Sequence, residues 1–181
     1  MKTTLYILLT IFSGIINAGD MLDVCVNYHC DQRQQVKLDN SEAKQIKQVF
    51  ASPAKSAIDE RRKIIRAVAT MEQIIGKKTP NYRDLPENLG EDEIGQLDCI
   101  AESRNTRQYL QWLANKHYLR WHIVNQRIRR APMFFDVHWG VKITEVATGE
   151  EYVVDSWYGA NGEAPTINKA ADWLRKNSTL N

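Results

Sequence analysis

The chain has 181 residues, of which 43% are hydrophobic and 25% are charged, and its formal net charge is +2. This length suffices for one domain with a sizeable core, and the composition excludes a disordered chain. The nearly balanced charge gives no overall indication of nucleic-acid binding, so we expect none. The charge is uneven, however: residues 84–98 carry six acids and no base, and residues 101–130 carry seven bases and one acid. We interpret both blocks as solvated surface.

The chain opens on an apolar segment with the pattern of an export signal. Lys2 precedes the run LYILLTIFSGII, and the small residue Ala18 ends the segment. The apolar run is too short to cross a bilayer of about 30 Å comfortably. We therefore expect residues 1–18 to be a signal peptide and residues 19–181 to form a single secreted or periplasmic domain. No stable membrane insertion is expected after the signal is removed.

Three cysteines, Cys25, Cys30 and Cys99, are present in the sequence. In an oxidising compartment an even set of thiols pairs, and a remaining thiol needs a separate explanation. Cys25 and Cys30 are close enough along the chain to bridge, so we predict a disulfide between them and an unpaired Cys99. His29 would also suit a metal site beside these cysteines, but no second pair of ligands occurs elsewhere. We therefore predict no metal and no cofactor.

The pattern after the cysteine pair predicts helices first. Residues 19–40 look irregular, and residues 41–50 favour a short helix. Apolar residues at helical spacing then predict a long helix from about Ile58 to Gly76. Residues 79–95 read as a loop, and Asp98 is a plausible N-cap for a further helix that carries Cys99.

The second half of the chain predicts strands. Residues 119–130, 137–146 and 151–157 favour strands, and Thr148-Gly149 is typical of a hairpin turn. A short helix over residues 167–174 closes the chain. The order predicts an α+β domain in which a Cys-bearing helix packs on an antiparallel sheet.

Cys99 and His138 are the candidate nucleophile and base. At the first turn of a helix, unpaired N–H groups and the helix dipole favour a thiolate, so we expect Cys99 to ionise more readily than an ordinary thiol. A thiol nucleophile needs a base, and His138 opens a strand on its more polar face. His122 begins another strand and is a rival, although only His138 has an acid downstream in the right relation.

That acid is Asp155, which ends the following strand and would orient the imidazole. A two-residue Thr148-Gly149 turn would place Asp155 opposite Lys142, roughly 13 Å along the strand from His138. A bulge, a longer loop or a bend must therefore close the gap. Asp136 and Asn161 are the alternatives if it does not.

The segments DCIAES, DVHWGVKITEV and EYVVDSW together resemble the transglutaminase-like cysteine peptidase family of the papain-like superfamily. The resemblance implies a papain-like fold with Cys99 as nucleophile, His138 as base and Asp155 as orienting acid. It further implies acyl transfer from amide or peptide bonds, either to water or to an amine. The bacterial cell-wall peptidases of papain-like fold remain an alternative, as does a binding domain of the same fold without activity.

An acyl-transfer site also needs donors for the oxyanion. The backbone N–H of Cys99 is one candidate, and the side chain of Gln96 is a second. Trp139 and Trp157 flank the candidate residues and would form an apolar wall. The expected partner is a peptide or protein amide substrate.

Overall fold

The computed structural model describes residues 20–88, 93–131 and 137–175. Within these ranges the chain forms four α-helices and two antiparallel sheets, which confirms the predicted α+β class. The predicted signal peptide and the alternative acid Asp136 lie outside the described residues. None of the helices in the described ranges combines the length and apolar composition that crossing a bilayer requires.

The helices and strands have the following order along the chain. The elements are β1 (Met21–Cys25), β2 (Arg33–Lys37), α1 (Asn40–Val49), α2 (Ala57–Gly76), α3 (Cys99–Asn115), β3 (His122–Arg130), β4 (His138–Glu145), β5 (Glu151–Asp155), β6 (Thr166–Lys169) and α4 (Ala170–Arg175). Short 3-10 helices occur at Tyr28–Cys30 and Pro80–Arg83. Strands β3 to β6 form one sheet in sequential order, and β1 pairs with β2 in the other.

The β1–β2 hairpin corrects the prediction that residues 19–40 are irregular. Its alternation is weak because β2 contains a single apolar residue, Val36, although that residue is buried. Side chains of α3 complete the hydrogen bonding of β1: Gln108 Oε1 accepts from Asp23 N at 3.0 Å, and Asn105 Oδ1 accepts from Cys25 N at 2.7 Å. The hairpin therefore depends on a helix about 80 residues away in sequence, which local patterns do not reveal.

The core lies between α2, α3 and one face of the larger sheet. Val68 and Met71 of α2 are fully buried, as are Val141 and Ile143 of β4. Ser56 caps α2 by accepting from the backbone N–H of Asp59. Burial of apolar residues at helical spacing holds α2 and α3 in place, and α3 in turn carries Cys99 to the edge of the sheet.

The C-terminal segment is only partly helical. The prediction of a helix over residues 167–174 is wrong for residues 167–169, which lie in a strand, and is confirmed for residues 170–174. Thr166 and Ile167 extend the sheet by pairing with Asp155 and Val154. Such β-branched residues suit a strand. The helix α4 begins at Ala170 and buries Trp173 beside the end of β5.

Candidate active site

Cys99 is the first residue of α3, as the sequence predicted. Asp98 is the N-cap, and its Oδ1 accepts from Ala101 N at 2.8 Å. The sulfur of Cys99 lies 3.9 Å from the carbonyl oxygen of Val137, and the backbone N–H of Trp139 is directed at it. The thiol therefore lies beside the two neighbours of His138 at the start of β4.

His138 and Asp155 form a buried hydrogen-bonded pair. His138 Nε2 lies 2.7 Å from Asp155 Oδ2, and the two residues are only 1% and 2% exposed. Trp173 Nε1 donates to the same carboxylate oxygen at 2.7 Å. The rings of Trp157 and Trp173 enclose the imidazole, with centroids at 4.8 and 5.6 Å. Because Nε2 is held by Asp155, Nδ1 is the ring nitrogen that can exchange a proton with a substrate or nucleophile.

The pairing of β4 with β5 explains how Asp155 reaches His138. Val141 pairs with Val154, so the continued register places Asp155 opposite Gly140 rather than opposite Lys142. Residues 146–149 form the connection, because Glu145 N donates to Glu150 O. The turn is thus longer than Thr148-Gly149. This register puts His138 and Asp155 at diagonal positions on one face, within reach of each other.

The alternative Asn161 has its contacts elsewhere in the structure. The side chain of Asn161 lies against Gly76, and its backbone N–H donates to Asp84 O at 3.3 Å. Asp136 lies outside the described residues. Among the described residues, Asp155 is the acid that is hydrogen-bonded to the imidazole.

Gly140 allows the aromatic enclosure to lie close to the strand. A Cβ at this position would stand 2.4 Å from Val153 Cγ1 and 3.2 Å from Trp173 Cζ2. A larger residue would push against both side chains. The absence of a side chain here helps Trp173 to reach Asp155.

A cavity of about 320 Å³ connects the candidate residues. Cys99 and His138 both line it, together with Trp139 and Trp157, which form the predicted apolar wall. Among the hydrogen bonds of the described residues, none joins the Cys99 sulfur to the imidazole of His138. A proton can pass between them once the two groups approach, and hydrogen bonds of catalytic groups often tighten only in the substrate complex.

The pKa of the Cys99 thiol differs from the prediction. Burial, together with the nearby carboxylates of Asp98 and Asp155, raises this pKa to about 11. The backbone N–H groups of Trp139 and of Cys99 itself act in the opposite direction. The expectation that the helix start makes the thiolate form readily is therefore wrong for this arrangement. Without substrate the thiol is protonated at neutral pH, so attack requires a base.

The side chain of Gln96 is engaged away from the cavity. Its Nε2 donates to Arg83 O at 2.6 Å, and its Oε1 accepts from Leu85 N at 3.4 Å and from Asn88 Nδ2. Asn88 lines the cavity, whereas Gln96 does not. The structure thus gives Gln96 a role in holding the loop. The N–H of Cys99 remains the candidate oxyanion donor.

The predicted Cys25–Cys30 disulfide is present, and it brings an unforeseen histidine to the cavity. His29 lies inside this small ring with a positive φ of 53°, and its Nδ1 is 2.7 Å from Asp98 Oδ2. Sequence reasoning set His29 aside because it lies beside the disulfide. Because His29 lies between two bridging cysteines, the sequence could have indicated an exposed loop of fixed conformation at this position. Its contact with Asp98, 69 residues away, was not predictable from spacing.

Three carboxyl groups are buried behind the helix that carries Cys99. Burial raises the pKa of Glu72 to about 8 and that of Asp84 to about 6, and it raises the pKa of Glu102 well above its usual value. The carboxyl groups of Glu102 and Asp84 interact electrostatically, and Ser156 lies close to Glu72. We call Glu72, Asp84 and Glu102 the carboxyl cluster. It links α2, α3 and the residue that follows Asp155.

The rival base His122 lies at the opposite end of the sheet from His138. Its Nδ1 is 3.0 Å from Glu60 Oε1, and its Nε2 is 3.0 Å from Arg61 Nη1. His122 pairs with Glu145, the last residue of β4, whereas His138 is the first. The structure therefore separates this histidine from Cys99.

A larger cavity, of about 480 Å³, lies between α1 and the end of α3. Lys44, Lys47 and Trp112 are among the residues that line it. It contains neither the thiol nor a histidine, so we do not assign chemistry to it despite its size. No group of three or more His, Cys, Asp or Glu side chains within the described ranges is arranged to hold a metal ion.

Comparisons of the chain with protein-family models, curated proteins and solved structures found no match. The function must therefore be inferred from the chemistry of the site.

Proposed function

We propose that this chain is an exported thiol enzyme of the transglutaminase-like, papain-like type that acts on amide or peptide bonds. The observation that carries the proposal is that a buried His138–Asp155 pair, 2.7 Å apart, faces the same cavity as an unpaired thiol. A nucleophile, a base and a group that orients the base are the components of covalent acyl transfer.

The proposed reaction proceeds through an acyl-enzyme. His138 Nδ1 takes the proton of the Cys99 thiol as the sulfur attacks the carbonyl carbon, and the N–H of Cys99 stabilises the resulting oxyanion. The imidazolium, stabilised by Asp155, then protonates the leaving amine as its bond to carbon breaks. Water or an amine attacks the thioester and releases the thiol. Because burial keeps the thiol protonated, proton transfer accompanies attack instead of preceding it.

Two alternatives share the same geometry. A cell-wall-peptide amidase would use the same residues on a different amide. A binding domain without activity is favoured by the high pKa of Cys99 and by the lack of a hydrogen bond between its sulfur and His138. The experiment below separates activity from binding.

The proposal is tested with p-nitrophenyl acetate, an activated acyl donor. We expect an acetyl adduct on Cys99 by mass spectrometry, together with release of nitrophenol. Cys99→Ala should abolish both, and His138→Ala should slow acylation by about 100-fold or more. Asp155→Asn should slow it while the fold is retained, as judged by circular dichroism. His117→Ala, which removes an exposed histidine, is the matched control and should acylate like the wild type.

Equal acylation of wild type and His138→Ala would contradict the proposal and favour the binding domain. For an active protein, product analysis with and without an added primary amine distinguishes hydrolysis from acyl transfer. An amide product with the amine identifies a transferase.

A further inference from the structure

Three arginines lie on one side of the candidate active site. Arg104 and Arg107 belong to α3, and Arg127 belongs to β3. Arg127 Nη1 donates to Ile100 O and to Ser103 Oγ, both at 3.2 Å, and its guanidinium lies 4.6 Å from the ring centroid of Trp139. Ile100 and Trp139 line the cavity that contains Cys99. Arg127 is not itself among the residues that line this cavity, but it contacts two residues that do. We call Arg104, Arg107 and Arg127 the arginine cluster.

Within the described residues no acid forms an ion pair with the arginine cluster, and Asp98 acts on Arg127 only as a more distant charge. None of the ion pairs formed within the described ranges includes Arg104, Arg107 or Arg127. The hydrogen bonds of Arg127 go to neutral oxygens, and Arg107 Nε donates to the carbonyl oxygen of Asn125 at 3.2 Å. Partial burial lowers the pKa of Arg127, and its two arginine neighbours lower it further. Placing three like charges together costs free energy that an anionic ligand would recover.

The guanidinium of Arg127 also has a geometry suited to an anion. Within the described part of the chain, Nη1 is the one nitrogen of Arg127 that donates a hydrogen bond. Nε and Nη2 lie side by side in the planar group and can hold both oxygens of a carboxylate. The stacking on Trp139 and the two Nη1 hydrogen bonds fix the plane of this fork next to Ile100 and Trp139, which line the cavity.

We infer that the amide substrate carries a carboxylate close to the scissile bond, and that Arg127, supported by Arg104 and Arg107, binds it. The inference rests on the proposed function, because it names the substrate class of the same site as an acidic peptide. It also changes the interpretation of the basic block at residues 101–130. Part of that block is a specificity surface, not only solvated exterior.

The first test compares two esters that differ only in charge. The p-nitrophenyl monoester of glutaric acid carries a terminal carboxylate, and p-nitrophenyl valerate has an acyl chain of the same length without it. We expect the wild type to be acylated on Cys99 about tenfold or more faster by the glutarate ester. Arg127→Gln should bring the ratio of the two rates close to one. Arg127→Lys should leave an intermediate ratio, because a point charge remains but the fork is lost.

Arg62→Gln is the matched control for charge. Arg62 is exposed on α2, and its neighbour Arg61 contacts Glu145 at the far end of β4 from His138. The control should keep the wild-type ratio, and circular dichroism should show that all variants are folded. Equal rates for both esters in the wild type would overturn the inference and leave the proposed function intact.

A binding measurement covers the case in which neither ester acylates the protein. Fluorescein-labelled hexaglutamate is titrated into wild type, Arg127→Gln and Arg62→Gln, with labelled hexaserine as the neutral peptide. Binding of hexaglutamate that is lost only in Arg127→Gln would support the anion site while the enzyme proposal fails. No binding to the wild type, or equal binding by all three proteins, would overturn the inference. Displacement by inorganic phosphate at lower concentrations than by glutarate would contradict the assignment to a carboxylate.

Discussion

Replacing Glu72 with glutamine should make the stability of this protein less dependent on pH. Glu72 is buried, and burial raises its pKa to about 8, whereas the ordinary value is 4.5. Its Oε2 accepts from Gly162 N at 3.1 Å, a hydrogen bond that a glutamine oxygen can also accept. The substitution therefore removes the titration while keeping the shape and this contact.

The direction of this pH effect follows from the pH at which the unfolded and the folded states each release the Glu72 proton. The unfolded chain loses the Glu72 proton near pH 4.5, and the folded protein keeps it until about pH 8. Between these values the folded state binds the additional proton, so a rise in pH destabilises it. Each pKa unit corresponds to about 1.4 kcal/mol, so a fully independent Glu72 would weaken the fold by on the order of 5 kcal/mol across this window. Protons shared within the carboxyl cluster reduce this figure.

The measurement is thermal unfolding from pH 5 to pH 8. One kcal/mol corresponds to about 2–4 °C in Tm for a chain of this size. Between pH 5 and pH 8 the Tm of Glu72→Gln should therefore fall less than the Tm of the wild type, by on the order of 10 °C at most. Glu87→Gln replaces an exposed glutamate and is the control for the loss of one negative charge; its pH dependence should follow the wild type. Parallel curves for Glu72→Gln and wild type would refute the reasoning.

Three further predictions concern the packing around Gly140 and the disulfide. Gly140→Ala should lower stability by about 1–3 kcal/mol, measured by urea unfolding, because the new methyl group would press on Val153 and Trp173; unchanged stability would contradict the tight packing. Thiol titration of the denatured, unreduced protein should find about one free group. Replacing both Cys25 and Cys30 with alanine should cost about 2 kcal/mol for this small loop, and a double variant as stable as the wild type would exclude a stabilising disulfide.

Local signals were sufficient for several parts of this structure. Asp98 is followed by residues that favour a helix, so its capping role was predictable from adjacent positions. The short spacing of Cys25 and Cys30 indicated their disulfide, and alternating residues indicated the strand that begins at His138. These features depend on residues within a few positions of one another, and each therefore leaves a pattern in the sequence.

Local signals misled where the neighbours of a residue in space differ from its neighbours in sequence. Gln96 was a reasonable oxyanion donor beside Cys99, but its hydrogen bonds to residues 83–88 turn it toward the loop. Residues 19–40 looked irregular because the partners of β1 are side chains on α3. In both cases the decisive contacts join separate segments.

The sequence by itself determined the α+β class, the cysteine pairing and the set of three candidate residues Cys99, His138 and Asp155. The tertiary structure alone decided that the β4–β5 register brings Asp155 within 2.7 Å of His138. A shift of two residues in this register changes the position of Asp155 along the strand from Lys142 to Gly140. It also decided the direction in which the pKa of the Cys99 thiol shifts. A helix start favours a thiolate, but burial and two nearby carboxylates raise the pKa of Cys99 to about 11, because desolvation depends on everything that packs around the thiol.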